Sequence, residues 1–457
     1  MIPPDEPAPD IAFGHIKRAQ DLLRARDLVG ARREADLARA HPERLAGVDI
    51  VARNALGSVL YELGDFDAAR AIFQDVLADN PRYGDALNNL GNVLAREGKP
   101  RRALEFYERA LVENPGSADY LANLGGARQA LGDVDGALNC FAQALARDPT
   151  HADARWNRGL ARLLSGDLAG GFADYESRWA LPEFTARQLA SPRWPDSISD
   201  EDVHGKTLLI HSEQGYGDTI QMVRFAKTLA GRGARVLVET HATLAPLLRT
   251  VEGIGQVIVH GDPLPRFDLH IPMMSLPAAC GVAALGDIPT APYIAASDGP
   301  EVALPPRRAG EIRVALVWAG RPTHKNDRNR SLDIARLAPL ASIPKVKLFS
   351  LQIGATSDDL AHLPGIVDLA PQLTDFAMTA RVLDQLDLAI TVDTAVAHLA
   401  GAMGKEAWLM LPFAPDWRWL QAGATAPWYP SLRLYRQPKI GDWASVVEKI
   451  TADLAAR

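Results

Sequence analysis

At 457 residues the chain is too long for one hydrophobic core, which points to roughly two to four domains. A hydrophobic fraction of 47% and a charged fraction of 23% are those of a globular protein, and the net charge of −7 argues against a general nucleic-acid or membrane-surface binder. The two cysteines, Cys140 and Cys280, stand far apart in apolar patterns, so neither a disulfide framework nor a cysteine-based metal site is expected.

The opening residues, MIPPDEPAPD, are acidic and proline-rich and lack the basic start and apolar stretch of a signal peptide. No run of about 18 apolar residues follows anywhere. The expectation is a cytoplasmic protein, without membrane insertion.

From about residue 50 the sequence repeats itself. Gly57, Gly91, Gly125 and Gly159 recur every 34 residues, as do Ala69, Ala103 and Ala137, with Gly171 as fourth member. Pro81, Pro115 and Pro149 close successive units, each ending a helix because it has no N–H to donate. The turns LGD (63–65), EGK (97–99), LGD (131–133) and SGD (165–167) place a glycine at each helix end. These features resemble the tetratricopeptide repeat (TPR) over about 50–183. ARREADLARAHPE reads as the second helix of a degenerate earlier unit at about 12–45. Stacked units of this kind form a solenoid whose concave face binds peptides, so a protein partner is expected there.

Within the repeats Asn89, Asn123 and Asn157 each precede a spaced glycine by two residues, and Asn92 lies close by. Stacking would align them as a ladder, and an amide offers both donor and acceptor to an extended peptide backbone. Alternatively the amides satisfy neighbouring helices. The ladder resembles that of the nucleocytoplasmic O-linked N-acetylglucosamine transferases.

Periodicity fades after Trp179, and residues 184–204 read as a surface linker docked by Trp194. Short apolar runs then alternate with helices. TLLIHS (207–212), RVLVET (235–240), QVIVH (256–260) and DLHIP (268–272) form one set of expected strands, with a helix near 218–231. RVALVWAG (313–320), KLFSLQ (347–352), LAITVD (388–393), AWLMLP (407–412) and RLYRQ (433–437) form another, and a helix at about 442–455 ends the chain. Such runs imply parallel sheets covered on both faces, here two Rossmann-like lobes over 205–300 and 310–457.

Ligands of open α/β sheets sit beyond the carboxyl ends of the strands, which singles out three stretches. In EQGYGDT (213–219), Asp218 is either a helix cap or a general base at the lip of a cleft. In GRPTHKNDRNRS (320–331), Arg321, Lys325, Arg328 and Arg330 outnumber the single acid Asp327, which suits a diphosphate as well as a solvated surface. In TVDTAVAHLAGAMGK (391–405), Asp393 and Thr394 open a small-residue helix whose free N–H groups can hold phosphate oxygens. His398, one turn on, is a ligand contact or a satisfied core residue.

Together these stretches resemble the heptosyltransferase-like GT-B glycosyltransferases over about 205–457. The resemblance implies that Asp218, after Gly217, is the base, that Arg330 contacts donor phosphates, and that Asp393, Thr394 and His398 match a D-[ST]-G-x-x-H donor segment. Ala395 stands at that segment's glycine, a departure that narrows the donor's approach. LPFAPDWRWL (411–420) and PWYPS (427–431) are similar to segments of bacterial repeat-glycosyltransferases, some implicated in glycosylating flagellin. By that likeness Trp417, Trp419, Trp428 and Tyr429 wall the donor site and Asp416 and Arg418 orient a sugar or base, with plain aromatic packing as the alternative.

The expected architecture is an all-α TPR solenoid (12–183) followed by an α/β GT-B module. The expected activity is metal-independent transfer of a sugar from a nucleotide-sugar co-substrate, with no cofactor, to a protein acceptor. A glycan or lipid-linked acceptor and a non-catalytic scaffold are the alternatives, and homo-oligomerisation is left open.

Overall fold

The computed structural model describes residues 8–40, 45–194, 203–299 and 302–457. Two compact units divide at Arg158/Gly159.

The first unit is helical throughout. Its hairpins pair Ala8–Arg24 with Leu28–Arg39, Ile50–Glu62 with Phe66–Asp79, Gly84–Arg96 with Pro100–Glu113, and Ala118–Ala130 with Val134–Arg147. Asp49, Asp65, Ser117 and Asp133 cap helix starts by accepting backbone N–H groups. Gly64 takes φ 79° and Gly98 φ 76°, the left-handed helix end expected of the turns. The spaced glycines have a sharper reason than small size alone. A Cβ on Gly57, Gly91 or Gly125 would come within 2.4, 2.5 or 2.6 Å of the rings of Phe73, Tyr107 and Phe141. Each of these three hairpins thus closes by laying one aromatic ring on bare backbone. Residues 41–44, at the end of the degenerate first unit, lie outside the described residues.

The second unit begins inside the helix Ala152–Ser165, earlier than the expected boundary at 183. The reason is burial. Phe172, on the helix Leu168–Tyr175, meets Trp417 edge-on at 5.7 Å. The Tyr175 hydroxyl donates to Gln214 Oε1 at 3.2 Å. Arg178 is fully buried, with Nε donating to Glu213 Oε2 at 3.0 Å and Nη2 to Ser275 Oγ at 2.7 Å. The connecting stretch then runs along the sheet that follows: Trp194 N–H donates to the His270 carbonyl at 2.8 Å, and His270 N–H to that of Pro192 at 3.1 Å. Residues 195–202 of the expected linker lie outside the described residues.

The first sheet holds β1 (Thr207–His211), β2 (Arg235–Thr240), β3 (Ile254–Val259) and β4 (Leu269–Pro272), all parallel in the order β3-β2-β1-β4. The second holds β5 (Ile312–Val317), β6 (Val346–Ser350), β7 (Val367–Asp368), β8 (Leu388–Val392), β9 (Ala407–Leu411), β10 (Thr425–Ala426) and β11 (Tyr429–Arg436). Its order is β10-β11-β9-β8-β5-β6-β7, parallel except for β10. Counted along the chain, its parallel strands run 3-2-1-4-5-6, the doubly wound arrangement. Every residue of β8 and β9 is buried, as unbroken apolar runs require. The chain is therefore helical TPR units followed by an α/β region of parallel sheets. The two-residue strands β7 and β10 are too short to leave a pattern in the sequence.

The order reverses beside β1 in the first sheet, where β4 lies on one side and β2 on the other, and between β5 and β8 in the second. Crevices beyond the carboxyl ends open at these points. The loops after β1, β5 and β8 are the three stretches singled out above.

Candidate active site

After β1 the chain turns at Gly215 into the short helix Tyr216–Met222. Asp218, third residue of that helix, accepts the Gly215 N–H on Oδ2 at 2.8 Å. The capping role is thus realised, and Oδ1 is also taken, by the Arg418 guanidinium. Gly217 lets this helix touch the helix Ala395–Ala402 of the other lobe. A Cβ there would lie 2.7 Å from His398 Cδ2.

After β5 the loop is held by its own polar groups. Gln352 Oε1 accepts the N–H of Trp318 at 3.1 Å and of Ala319 at 2.9 Å, and Ser331 Oγ accepts that of Gly320 at 2.8 Å. Arg330 Nη1 donates to the Asp393 carbonyl at 2.9 Å, which ties this loop to the end of β8. The other three cations of the stretch, Arg321, Lys325 and Arg328, are exposed. Lys325 pairs with Glu183 at 2.9 Å, both side chains largely in solvent, and Arg328 is exposed on the Asp327–Arg330 turn.

After β8, Thr394 caps Ala395–Ala402 without a side-chain hydrogen bond; its Oγ1 lies 3.1 Å from Thr391 Oγ1 instead. The first turn thus has no side-chain cap, and within it the Ala397 N–H donates to the Thr394 carbonyl at 3.0 Å. Burial, then the nearby Asp416, push the Asp393 carboxyl up to about 6, against the pull of Trp419, Arg418 and Arg330. The Trp419 indole N–H makes no hydrogen bond of normal length, yet lies near enough to Asp393 to oppose that rise. His398 is buried, with Nδ1 3.0 Å from the Tyr429 hydroxyl. Burial, then Arg418, Arg224 and Arg330, hold its pKa well below the usual value, so the ring is neutral at pH 7.

Arg418 joins the lobes. Its Nε donates to Gln221 Oε1 at 2.6 Å, Nη1 to Asp416 Oδ1 at 2.8 Å and Nη2 to Asp218 Oδ1. The guanidinium also lies 4.3 Å from the Trp417 ring. Burial opposes its charge, but Asp416 and Asp218 more than offset that and keep it protonated. A second buried arginine, Arg224, donates to the carbonyls of Pro289 at 3.0 Å and Trp428 at 3.1 Å. Trp417, Trp419, Trp428 and Tyr429 are all buried. Trp417 and Trp428 pack edge-on with Phe172, so packing, rather than an open wall for a ligand, is what these two rings supply.

In the helical unit, Asn89 Nδ2 donates to Asn54 Oδ1 at 3.2 Å and Asn123 Nδ2 to Asn88 Oδ1 at 2.9 Å. Asn89 Nδ2 also donates to Ser58 Oγ at 3.3 Å, so both amides are tied to the preceding repeat through their N–H groups. Asn92 accepts the Tyr107 hydroxyl at 2.8 Å and belongs to its own hairpin's packing, while Asn157 is half-buried.

The tetratricopeptide-repeat family profile matches residues 54–118 and 123–185. Protein FlbA of Caulobacter vibrioides is 25% identical over 329 residues, which are 62% of this chain and 52% of that protein. The chain spans about half the length of that curated relative. Among solved structures, the thermophilic TPR protein TTC0263 of Thermus thermophilus is 21% identical, with a TM-score of 0.33 over 37% of this chain and 91% of its own. An O-GlcNAc transferase of Thermobaculum terrenum is 15% identical, with a TM-score of 0.35 over 89% of this chain and 90% of that one. No helix among the described residues is long and apolar enough to cross a membrane.

Sequence reasoning missed Gln221, Arg224 and the Arg178–Glu213 pair. For Gln221 a signal existed: three residues after Asp218 on one helix, it shares that residue's face. Nothing local marks the others.

Proposed function

We propose that the α/β unit is a glycosyltransferase that moves a sugar from a nucleotide-sugar donor to a hydroxyl of a protein held by the repeats, flagellin being one candidate acceptor. One observation carries this reading. Arg330 and the uncapped start of Ala395–Ala402 meet at the carboxyl ends of β5 and β8, and the Asp218 helix of the other lobe packs against the same helix through Gly217. Free N–H groups, the helix dipole and a guanidinium suit a diphosphate.

In this reading the donor phosphates are met by Arg330 and the N–H groups beyond Thr394, so charge on the departing nucleotide is stabilised by basic side chains and backbone dipoles. The acceptor hydroxyl gives its proton to Asp218 as its oxygen bonds to the sugar C1. The C1–O bond to phosphate breaks, and the nucleotide leaves with the electron pair. His398, neutral and held by Tyr429, shapes the pocket and does not titrate in it. Asn89, Asn123 and Asn157 line the acceptor face, where the Oδ1 atoms of Asn89 and Asn123 lie outside the inter-repeat bonds and can accept peptide N–H groups. The setting is cytoplasmic.

The test is thermal stabilisation of the full chain by CMP, UDP, GDP and ADP, repeated with Arg330→Ala after its fold is checked by circular dichroism. Stabilisation by one nucleotide, lost in the variant, is the expected result. A folded wild-type protein that responds to none of the four would sink the transferase reading in favour of a scaffold.

A further inference from the structure

Asp218 is a weakened base in the arrangement described. Its Oδ2 accepts the Gly215 N–H, and its Oδ1 is paired with a guanidinium whose side chain is only 9% exposed. With both oxygens engaged, one of them by a charge-assisted bond, the carboxylate is less able to take a proton from an incoming hydroxyl. The partner, however, is built to let go. Arg418 has a second carboxylate, Asp416, two residues away on its own turn, which accepts from Nη1 while Asp218 accepts from Nη2. The Trp417 ring faces its guanidinium and Gln221 Oε1 accepts from its Nε, while Gln221 Nε2 is buried without a partner. Three acids, Asp218, Asp416 and Asp393, act on this one cation from the ends of three segments. Arg330 ties the third of them to the loop after β5. A ligand bringing two phosphates to the start of Ala395–Ala402 adds anionic oxygens beside that cluster, and phosphate matches a guanidinium as well as carboxylate does.

We infer that Arg418 is a positioning residue that masks Asp218 until the donor diphosphate draws it off, so that the base is uncovered only once the donor is bound. The inference rests on the transferase reading above and deepens it. Binding is then ordered, donor before acceptor, and water reaching the site without a donor finds no free base.

The experiment is titration of the full-length protein with UDP, GDP, ADP and CMP by calorimetry, for wild type, Asp218→Asn, Arg418→Gln and the double variant. Asp218→Asn keeps the cap to Gly215 but removes the carboxylate that competes for Arg418. It should bind the preferred nucleotide about ten times more tightly than wild type, a coupling of ordinary size for neighbouring charges. In the Arg418→Gln background the same change should do nothing. A gain that persists there would mean simple repulsion between Asp218 and phosphate, and would overturn the inference. So would an unchanged or weaker affinity in Asp218→Asn, which leaves the transferase reading intact because wild type still binds. Absence of binding by every folded variant, wild type included, would overturn both.

Discussion

The two units hold their polar groups over very different spans of chain. In the helical unit Asn89 reaches Asn54 and Asn123 reaches Asn88, each across 35 residues, one repeat away. Arg53, although buried, finds Asp75 and Asp79 in its own hairpin. In the α/β unit Arg418 reaches Asp218 across 200 residues and Arg224 reaches the Trp428 carbonyl across 204. A solenoid satisfies itself between neighbours, so each repeat's stability is nearly its own. The α/β unit depends on a few long-range arginines, and losing one should be felt by both sheets.

The largest expected effect comes from Arg224→Ala. Removing a guanidinium that is 2% exposed strands the Pro289 and Trp428 carbonyls in the interior. Urea unfolding should show the α/β transition weakened by about 3 kcal/mol or more, with the helical transition unmoved. A loss spread equally over both transitions would break the contrast.

Next is an acid sensitivity confined to the α/β unit. His211, buried in the first sheet with Nε2 3.3 Å from His270 Nδ1, is pushed down to about 3, first by burial and then by Arg187. The unfolded chain therefore binds a proton that the native one refuses between about pH 6.5 and pH 3. Stability from this site is complete above pH 6.5 and is lost as the pH falls, by about 3 kcal/mol at pH 4.5. His211→Phe should flatten the slope of unfolding free energy over that window. An unchanged slope would show that the ring is not the source.

The smallest effects lie in the repeats and test locality itself. Gly91→Ala puts a methyl 2.5 Å from the buried Tyr107 ring and should cost about 2 kcal/mol by overpacking. Gly126→Ala, on an open helix face with nothing within 4 Å, should instead stabilise by up to about 1 kcal/mol. Opposite signs in thermal melts of the two variants would sharpen the comparison; equal signs would remove it.

How much of this was legible beforehand follows the same division. The 34-residue glycine spacing told of helical hairpins because a ring meets bare backbone at Gly57, Gly91 and Gly125. The apolar runs told of β5, β6, β8 and β9, because strands covered on both faces have no polar side to alternate with. Asp218, Arg330, Asp393, Thr394 and His398 were visible as residues just after strands. Their relations were not. Whether Asp218 is free or paired depends on Arg418, and no local pattern links the two.

By itself, then, the sequence determined the repeats, the strands and the loops in which chemistry can sit, since each of these is written in contacts between near neighbours or in a periodicity of burial. Only the tertiary structure decided that Trp417 and Trp428 are packing, that Lys325 faces Glu183, and that one arginine covers the candidate base. Those outcomes depend on which side chains two separately folded sheets bring within hydrogen-bond reach, and that is a property of how the sheets meet, which neither stretch of chain encodes alone.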